Sequence, residues 1–191
     1  KFGVCDYTGV ERDEQDAETT RLMCLHGRII HGDILTMRHD ALGKEAYDAV
    51  FSIGCSDWSA PLQELINASF AYVKPGGTLI GSFRLTEKET IKDIAQSFQC
   101  INVRSGSSAK VLYVVMNIKE LMDALMVVRP SEIFGYGYWR RPSSTAVTPF
   151  GMMCFAVIAI RKADVGKQRG DVKMNLQLPE NLLQKLGACS V

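Results

Sequence analysis

Apolar and polar positions along the chain change their spacing several times, and each change marks an element. Lys1–Cys5 is a short apolar run that empties into Asp6-Tyr7-Thr8-Gly9, the pattern of a strand followed by a loop. Val10–His26 is charged in front and apolar behind, with Ala17, Leu22, Met23 and Leu25 able to share a helical face before Gly27 stops it. Two strand-like runs follow, Arg28–Ile34 and Tyr47–Ile53. Pro61–Tyr72 carries Leu62, Leu65, Ile66, Ser69 and Phe70 at helical spacing, so one face packs and the other is solvated. Lys74-Pro75-Gly76-Gly77 predicts a turn into a strand over Thr78–Phe83, and Glu87–Phe98 predicts a helix.

Beyond these, Val111–Met116 reads as a strand, and Asn117 is placed to cap a helix over Ile118–Val128 that Pro130 closes. Glu132–Arg140 and Met152–Arg161 are β-rich runs joined by a turn-forming stretch, as in an antiparallel pair with a long connection. Strands alternating with helices predict an α/β layer structure with a mostly parallel sheet and a C-terminal antiparallel strand pair. The expected division is one domain over residues 1–162 and a polar tail over 163–191, with a short amphipathic segment at Pro179–Leu186 available for an interface. No internal repeat is visible.

Composition narrows the function classes. In 191 residues, 47% hydrophobic and 23% charged, there is enough apolar surface for one folded core. A net charge of +1 gives no field to recruit a polyanion or an anionic bilayer, so nucleic acid is not the expected partner. Apolar runs such as Phe155–Ile160 are far short of the roughly 20 residues that cross a bilayer, so no membrane span is expected. The six cysteines, Cys5, Cys24, Cys55, Cys100, Cys154 and Cys189, form no CxxC pair and stand near no His at zinc-like spacing. They read as reduced, mostly buried thiols of a cytoplasmic protein, with no metal site.

Open α/β sheets bind ligands where strands end, so the residues that leave each strand carry the chemistry. On this reading the exits are Asp6, Asp33, Ser52–Trp58 and Ser82–Arg84. A carboxylate after one strand accepts hydrogen bonds from ribose hydroxyls, and one after its neighbour accepts from an adenine amino group. Taken singly, each Asp is more often a turn residue or a helix cap.

The segments VCDYTG, HGDI, YDAVFSIGCSDW, LQELINASFAYV, KPGGTLIGSF, IFGYGYWRRP and MCFAVIAIRK together resemble the class I, Rossmann-like S-adenosylmethionine-dependent methyltransferases over about residues 1–162. The resemblance implies that Asp6 holds the cofactor ribose and Asp33 faces the adenine amino group with the Ile34 amide near a ring nitrogen. It further implies that Ser52, Ile53 and Gly54 line the methionine part, while KPGG is structural. The family's glycine-rich loop and the strand carrying it have no counterpart in this sequence. The expectation is therefore a sheet lacking its first strand, in a chain that is a piece of a longer protein.

Cys55–Trp58 stands where a methyl acceptor would approach, and Asp57 is the expected general base. Trp58 offers a ring to an uncharged or amino-bearing ligand; the same residues also suit a helix start. His31, inside a strand, and His39, in a charged loop, are weaker candidates. Arg84 and the aromatic, cationic run containing Tyr136, Tyr138, Trp139, Arg140 and Arg141 suit an acidic group, a sugar or a phosphate. Arg84 could equally pair with Glu87. Widely spaced Gly76, Gly77 and Gly81 make no dinucleotide cradle. Together these features predict methyl transfer from S-adenosylmethionine to a small polar acceptor, from a protein that could self-associate. The alternative is a non-catalytic interaction module that keeps the fold.

Overall fold

The computed structural model describes residues 6–24, 26–37, 39–58, 61–102, 108–166 and 170–187. It divides into two compact units, Lys1–Gly43 and Lys44–Val191, and each is built by itself.

In the first unit, β1 (Thr8–Glu11) leads into α1 (Glu14–Met23), β2 (Arg28–His31) and the short α2 (His39–Leu42). Asp13 starts α1 because its carboxylate accepts from the Gln15 and Asp16 amides, two donors that a helix cannot satisfy internally. β1 and β2 pair in parallel, with Thr8 opposite Arg28 and Glu11 opposite His31. Arg21 on α1 donates through Nε to the Ile29 carbonyl at 3.1 Å, tying helix to strand. The expected strand over Lys1–Cys5 lies outside the described residues, as do Cys5 and Leu25, and a strand forms at Thr8–Glu11, across the expected loop and the front of the expected helix. Of the predicted apolar helix face only Ala17 is buried; Leu22 and Met23 are 80% and 81% exposed.

The second unit is organised around a sheet. Its elements are β3 (Tyr47–Ser52), α3 (Leu62–Ala71), β4 (Val73–Thr86), β5 (Phe98–Asn102), β6 (Ser108–Leu112), β7 (Met116–Asn117), α4 (Ile118–Val127), β8 (Glu132–Arg140), β9 (Ala146–Val147), β10 (Met153–Arg161), β11 (Lys173–Gln177) and α5 (Glu180–Gly187). Among the described residues the order is β11-β8-β10-β4-β3, with β7 beside the end of β4. β3 and β7 run parallel to β4, and β11 runs parallel to β8; β10 alone runs against its neighbours β4 and β8. The result is a mostly parallel mixed sheet with the predicted antiparallel group. β5, β6 and β9 form a second, antiparallel sheet that follows the carboxyl end of β4.

Alternation along the strands decides which face is core. Leu79, Phe83 and Leu85 of β4, Ile133 of β8 and Cys154, Ala156, Ile158 and Ile160 of β10 point to one side. Ile66 and Phe70 of α3, Ile118, Leu121 and Leu125 of α4 and Leu182 of α5 pack against them. Asn117 caps α4 as expected, accepting from the Lys119 and Glu120 amides. No helix among the described residues is long and apolar enough to cross a membrane.

Three expectations change. KPGG lies within the residues of β4: Gly76 takes a positive φ of 77°, and the register slips from Tyr47 opposite Val73 to Ala49 opposite Thr78, so the turn is a wide bulge near the start of a longer strand. Glu87–Phe98 forms no helix. Thr86 Oγ1 and Asp93 Oδ1 accept from the Lys88 and Ala95 amides, and Ile91 bridges to Val115, giving this backbone other partners than its own turns. Finally, the 163–191 segment supplies β11 to the edge of the main sheet and, through fully buried Leu182 of α5, a piece of its core.

Candidate functional site

In the first unit, Asp6 is exposed and stands ahead of β1, whereas the sequence reading had it leaving a strand. The acidic residue that does leave β1 is Glu11, and the four-residue strand between them separates the two ends by about 10 Å. Glu11 sits beside His31 in the parallel register, two residues ahead of Asp33, and its carbonyl accepts from the Gly32 amide at 2.8 Å. Glu11 and Asp33 are therefore the two carboxylates at the tips of adjacent parallel strands. Nothing among the described residues pairs with the Glu11 carboxylate.

Asp33 is half-buried and partly engaged. Its Oδ1 accepts from the Leu35 amide at 2.9 Å, and its backbone carbonyl accepts from the Thr36 and Met37 amides, closing a turn that contains Ile34. Arg12 Nε approaches Asp33 Oδ2 at 3.5 Å from a side chain that is 87% exposed, a loose, solvent-screened pair. His31 lies at the end of β2, where Nε2 meets the Arg12 carbonyl at 3.2 Å, a structural contact.

In the second unit, β3 ends opposite Gly81 while β4 runs on to Thr86, so the turn after β3 lies against the last residues of β4. Ser52 ends the strand, Ile53 is 51% exposed, and Gly54 turns at a positive φ of 66° with open space where a Cβ would stand. Ser52 and Ser56 share a hydroxyl contact of 2.7 Å, and the Gly54 amide donates to Ser82 Oγ on β4 at 2.8 Å. A 3-10 turn over Ser56–Trp58 follows.

The structure brings Asp57, Trp58 and Arg84 together, but in one another's grip. Arg84 Nη2 lies 3.0 Å from Asp57 Oδ2, and Nη1 donates to the Asp57 carbonyl at 2.6 Å. The guanidinium is 4.6 Å from the Trp58 ring centroid and 3.6 Å from that of Tyr113, and the two rings meet edge to face at 5.9 Å. Arg84 is 4% exposed. Desolvation raises the Asp57 pKa against the opposing pull of the Arg84 charge, and desolvation lowers that of Arg84 against the pull of Asp57. The expected base and the expected anion-binding arginine are thus each other's partner. Trp58 likewise stacks on Arg84 instead of offering its face to a ligand. Tyr138 lies in the same row of the sheet as Arg84, across Phe155 of β10, and stays half-exposed beside Tyr136. No group of side chains among the described residues could hold a metal ion.

No protein-family model and no curated protein matches this chain. Solved structures do. A SAM-dependent methyltransferase from Methanosarcina mazei shares the fold at a TM-score of 0.55 and 12% identity, covering 83% of this chain and 82% of its own. The chain has the fold of the class I S-adenosylmethionine-dependent methyltransferases. A Thermotoga maritima SAM-dependent methyltransferase, described as a possible histamine N-methyltransferase, gives 0.51 at 18% identity over 82% of this chain and 72% of its own. The Burkholderia thailandensis 1,6-didemethyltoxoflavin-N1-methyltransferase, solved with 1,6-didemethyltoxoflavin and S-adenosylhomocysteine, gives 0.50 at 15% identity. It is covered to 82% of this chain, which spans 61% of that enzyme's length.

Within this methyltransferase fold, two residues escaped the sequence reading. Glu11 could have been found from TGVE running straight into the Asp13 cap, which marks a strand-to-helix exit. Tyr113 carried no local signal, because its role comes from packing on residues remote in sequence.

Proposed function

We propose that the protein binds S-adenosylmethionine and transfers its methyl group to a small polar acceptor. The observation that carries this reading, beside the fold, is the pair of carboxylates at the tips of β1 and β2. Glu11, in the last ladder pair of β1 and with no partner for its carboxylate among the described residues, suits the cis-hydroxyls of a ribose, which are donors placed for one carboxylate. Asp33 keeps acceptor capacity for an amino group of adenine, with Ile34 in the turn that follows. The acceptor pair thus fits the donors of a nucleoside. Ser52, Ile53 and Gly54 keep the role the resemblance implied, at the methionine part of the cofactor.

When bound, the cofactor supplies a methyl on a positively charged sulfur, and an acceptor lone pair displaces that sulfur as S-adenosylhomocysteine leaves. What the chain must add is alignment and exclusion of water, with the acceptor proton passing to solvent or to a base other than the paired Asp57. A small uncharged or zwitterionic acceptor agrees with the net charge of +1.

Titration calorimetry with S-adenosylhomocysteine tests the reading. Wild type is expected to bind and Glu11→Ala to bind about 10- to 100-fold more weakly, the loss of a charge-assisted acceptor being worth about 1.5–3 kcal/mol. Asp6→Ala is expected to bind as wild type. If the wild-type chain takes up neither S-adenosylhomocysteine nor adenosine, or if Asp6→Ala and not Glu11→Ala loses affinity, the assignment fails.

A further inference from the structure

The tip of β3 is pinned at two points from one face of β4. Ser82 and Arg84 are two residues apart on that strand and so point the same way. Ser82 Oγ takes the Gly54 amide, and Arg84 takes both the carbonyl and the carboxylate of Asp57. The Asp57 carbonyl also accepts from the Val114 amide at 3.1 Å, which joins the tip to the chain leaving β6. Tyr113, stacked on Arg84, is fixed in turn: its amide donates to the Ser97 carbonyl, and fully buried Ser97 returns a hydroxyl bond to the Tyr113 carbonyl at 2.6 Å.

We propose that Arg84 is a positioning residue that locks residues 53–58 between β4 and the base of the β5–β6 hairpin, and so holds the Ile53–Gly54 backbone ready for the ligand. This rests on the function proposed above. An apolar side chain would fill the same space without the cost of burying charge, since ion pairs taken out of water often stabilise no more than well-packed hydrocarbon. What an apolar residue lacks is direction. The planar guanidinium presents several donors in a rigid fork, and here two of them engage one residue through its main chain and its side chain while the Trp58 and Tyr113 rings lie against it. That arrangement fixes the position of Asp57 relative to β4 and, with the Ser82 pin, the path of the turn between them.

The test separates positioning from stability. In Asp57→Leu combined with Arg84→Met both charges leave together, so no buried charge is left unpaired while the fork is lost. Hydrogen exchange followed by mass spectrometry is expected to show amides of 53–58 exchanging at least tenfold faster, with β10 amides unchanged, and S-adenosylhomocysteine affinity falling about tenfold. Arg84→Lys, which keeps the charge without the fork, is expected to lie between this variant and wild type on both readouts. The proposal is overturned if exchange in 53–58 stays at the wild-type rate in both variants, or if β10 exchange rises by the same factor as that of 53–58. Should wild type fail to bind S-adenosylhomocysteine, the function falls, and the ligand-free exchange comparison still decides whether the turn is locked.

Discussion

Two strand tips carry acidic residues here, and their fates are opposite. At the end of β1, the Glu11 carboxylate has no partner among the described residues, and its ladder partner His31 stands two residues before Asp33 on the neighbouring strand's exit. Beyond β3, Asp57 has a side chain only 11% exposed, paired to a guanidinium that itself lies against two rings. The same residue class, in the same topological place, serves a ligand in the proposed reading of the first case and the fold in the second. Strand-end position alone does not make a site, and neither does spare acceptor capacity, since Asp57 Oδ1 is buried with no hydrogen-bond partner among the described residues; the deciding quantity is whether the carboxylate stands open to a ligand.

The largest effect that would break this comparison is on stability. Arg84→Met alone leaves Asp57 buried without its counter-charge and is expected to cost about 3–5 kcal/mol. Asp57→Leu with Arg84→Met should return to within about 1–2 kcal/mol of wild type, because neither charge then remains to be desolvated. Urea unfolding of wild type, the single variant and the double variant measures both. A single variant as stable as wild type would mean that the pair is not buried in solution. Glu11→Ala belongs to the other side: its stability should match wild type to within about 0.5 kcal/mol, as for surface positions, while its ligand affinity falls.

Asp57 also gives the comparison a pH signature. Its pKa is raised in the fold, chiefly by desolvation, so between the ordinary carboxylate value of 3.8 and the raised one the native state holds more protons than the unfolded chain. Stability relative to Asp57→Asn should therefore decline as pH rises through that window and level off above it. Glu45 works in the opposite sense. Its hydrogen bond to Lys162 lowers its pKa, so its contribution is present above the ordinary value of 4.5 and lost as pH falls. Thermal midpoints of wild type, Asp57→Asn and Glu45→Gln between pH 3 and 7 read the two signs. A wild-type advantage over Asp57→Asn that grows with pH would show that Arg84 outweighs burial.

How much of this was legible in the sequence depends on how local each signal is. The β8–β10 pair was readable because alternation over nine residues in each strand, with Gly135 and Gly137 on the packed side, has a period that no helix shares. α3 and α4 were readable from their apolar spacing and, for α4, from Asn117. β1 was missed because Tyr7-Thr8-Gly9 carries turn chemistry, and four residues are too few for alternation to overrule it. The helix expected over Glu87–Phe98 failed because Val115, remote in sequence, offers Ile91 a bridge. Asp57 looked like a base because nothing beside it in the chain announces Arg84 or Tyr113 as its cover. The methyltransferase resemblance survived these errors because it rests on the order of strands and helices and not on any one exit residue.

The smallest expected effect concerns Arg12, the cation nearest the proposed nucleoside carboxylates. Its guanidinium is 87% exposed and 3.5 Å from Asp33 Oδ2, so the pair contributes little to folding, and Arg12→Ala should leave the urea midpoint unchanged to within about 0.5 kcal/mol. Its effect on the ligand is informative nonetheless. Arg12 competes with a bound amino group for the same acceptor oxygen, but only weakly, because solvent and salt screen it. Removing it should therefore raise S-adenosylhomocysteine affinity by about twofold in low salt and leave it unchanged in about 0.5 M salt, where the Debye length is only a few ångströms. A loss of affinity on the same substitution would make Arg12 a ligand contact in its own right and would place the anionic end of the ligand, not its adenine, beside Asp33.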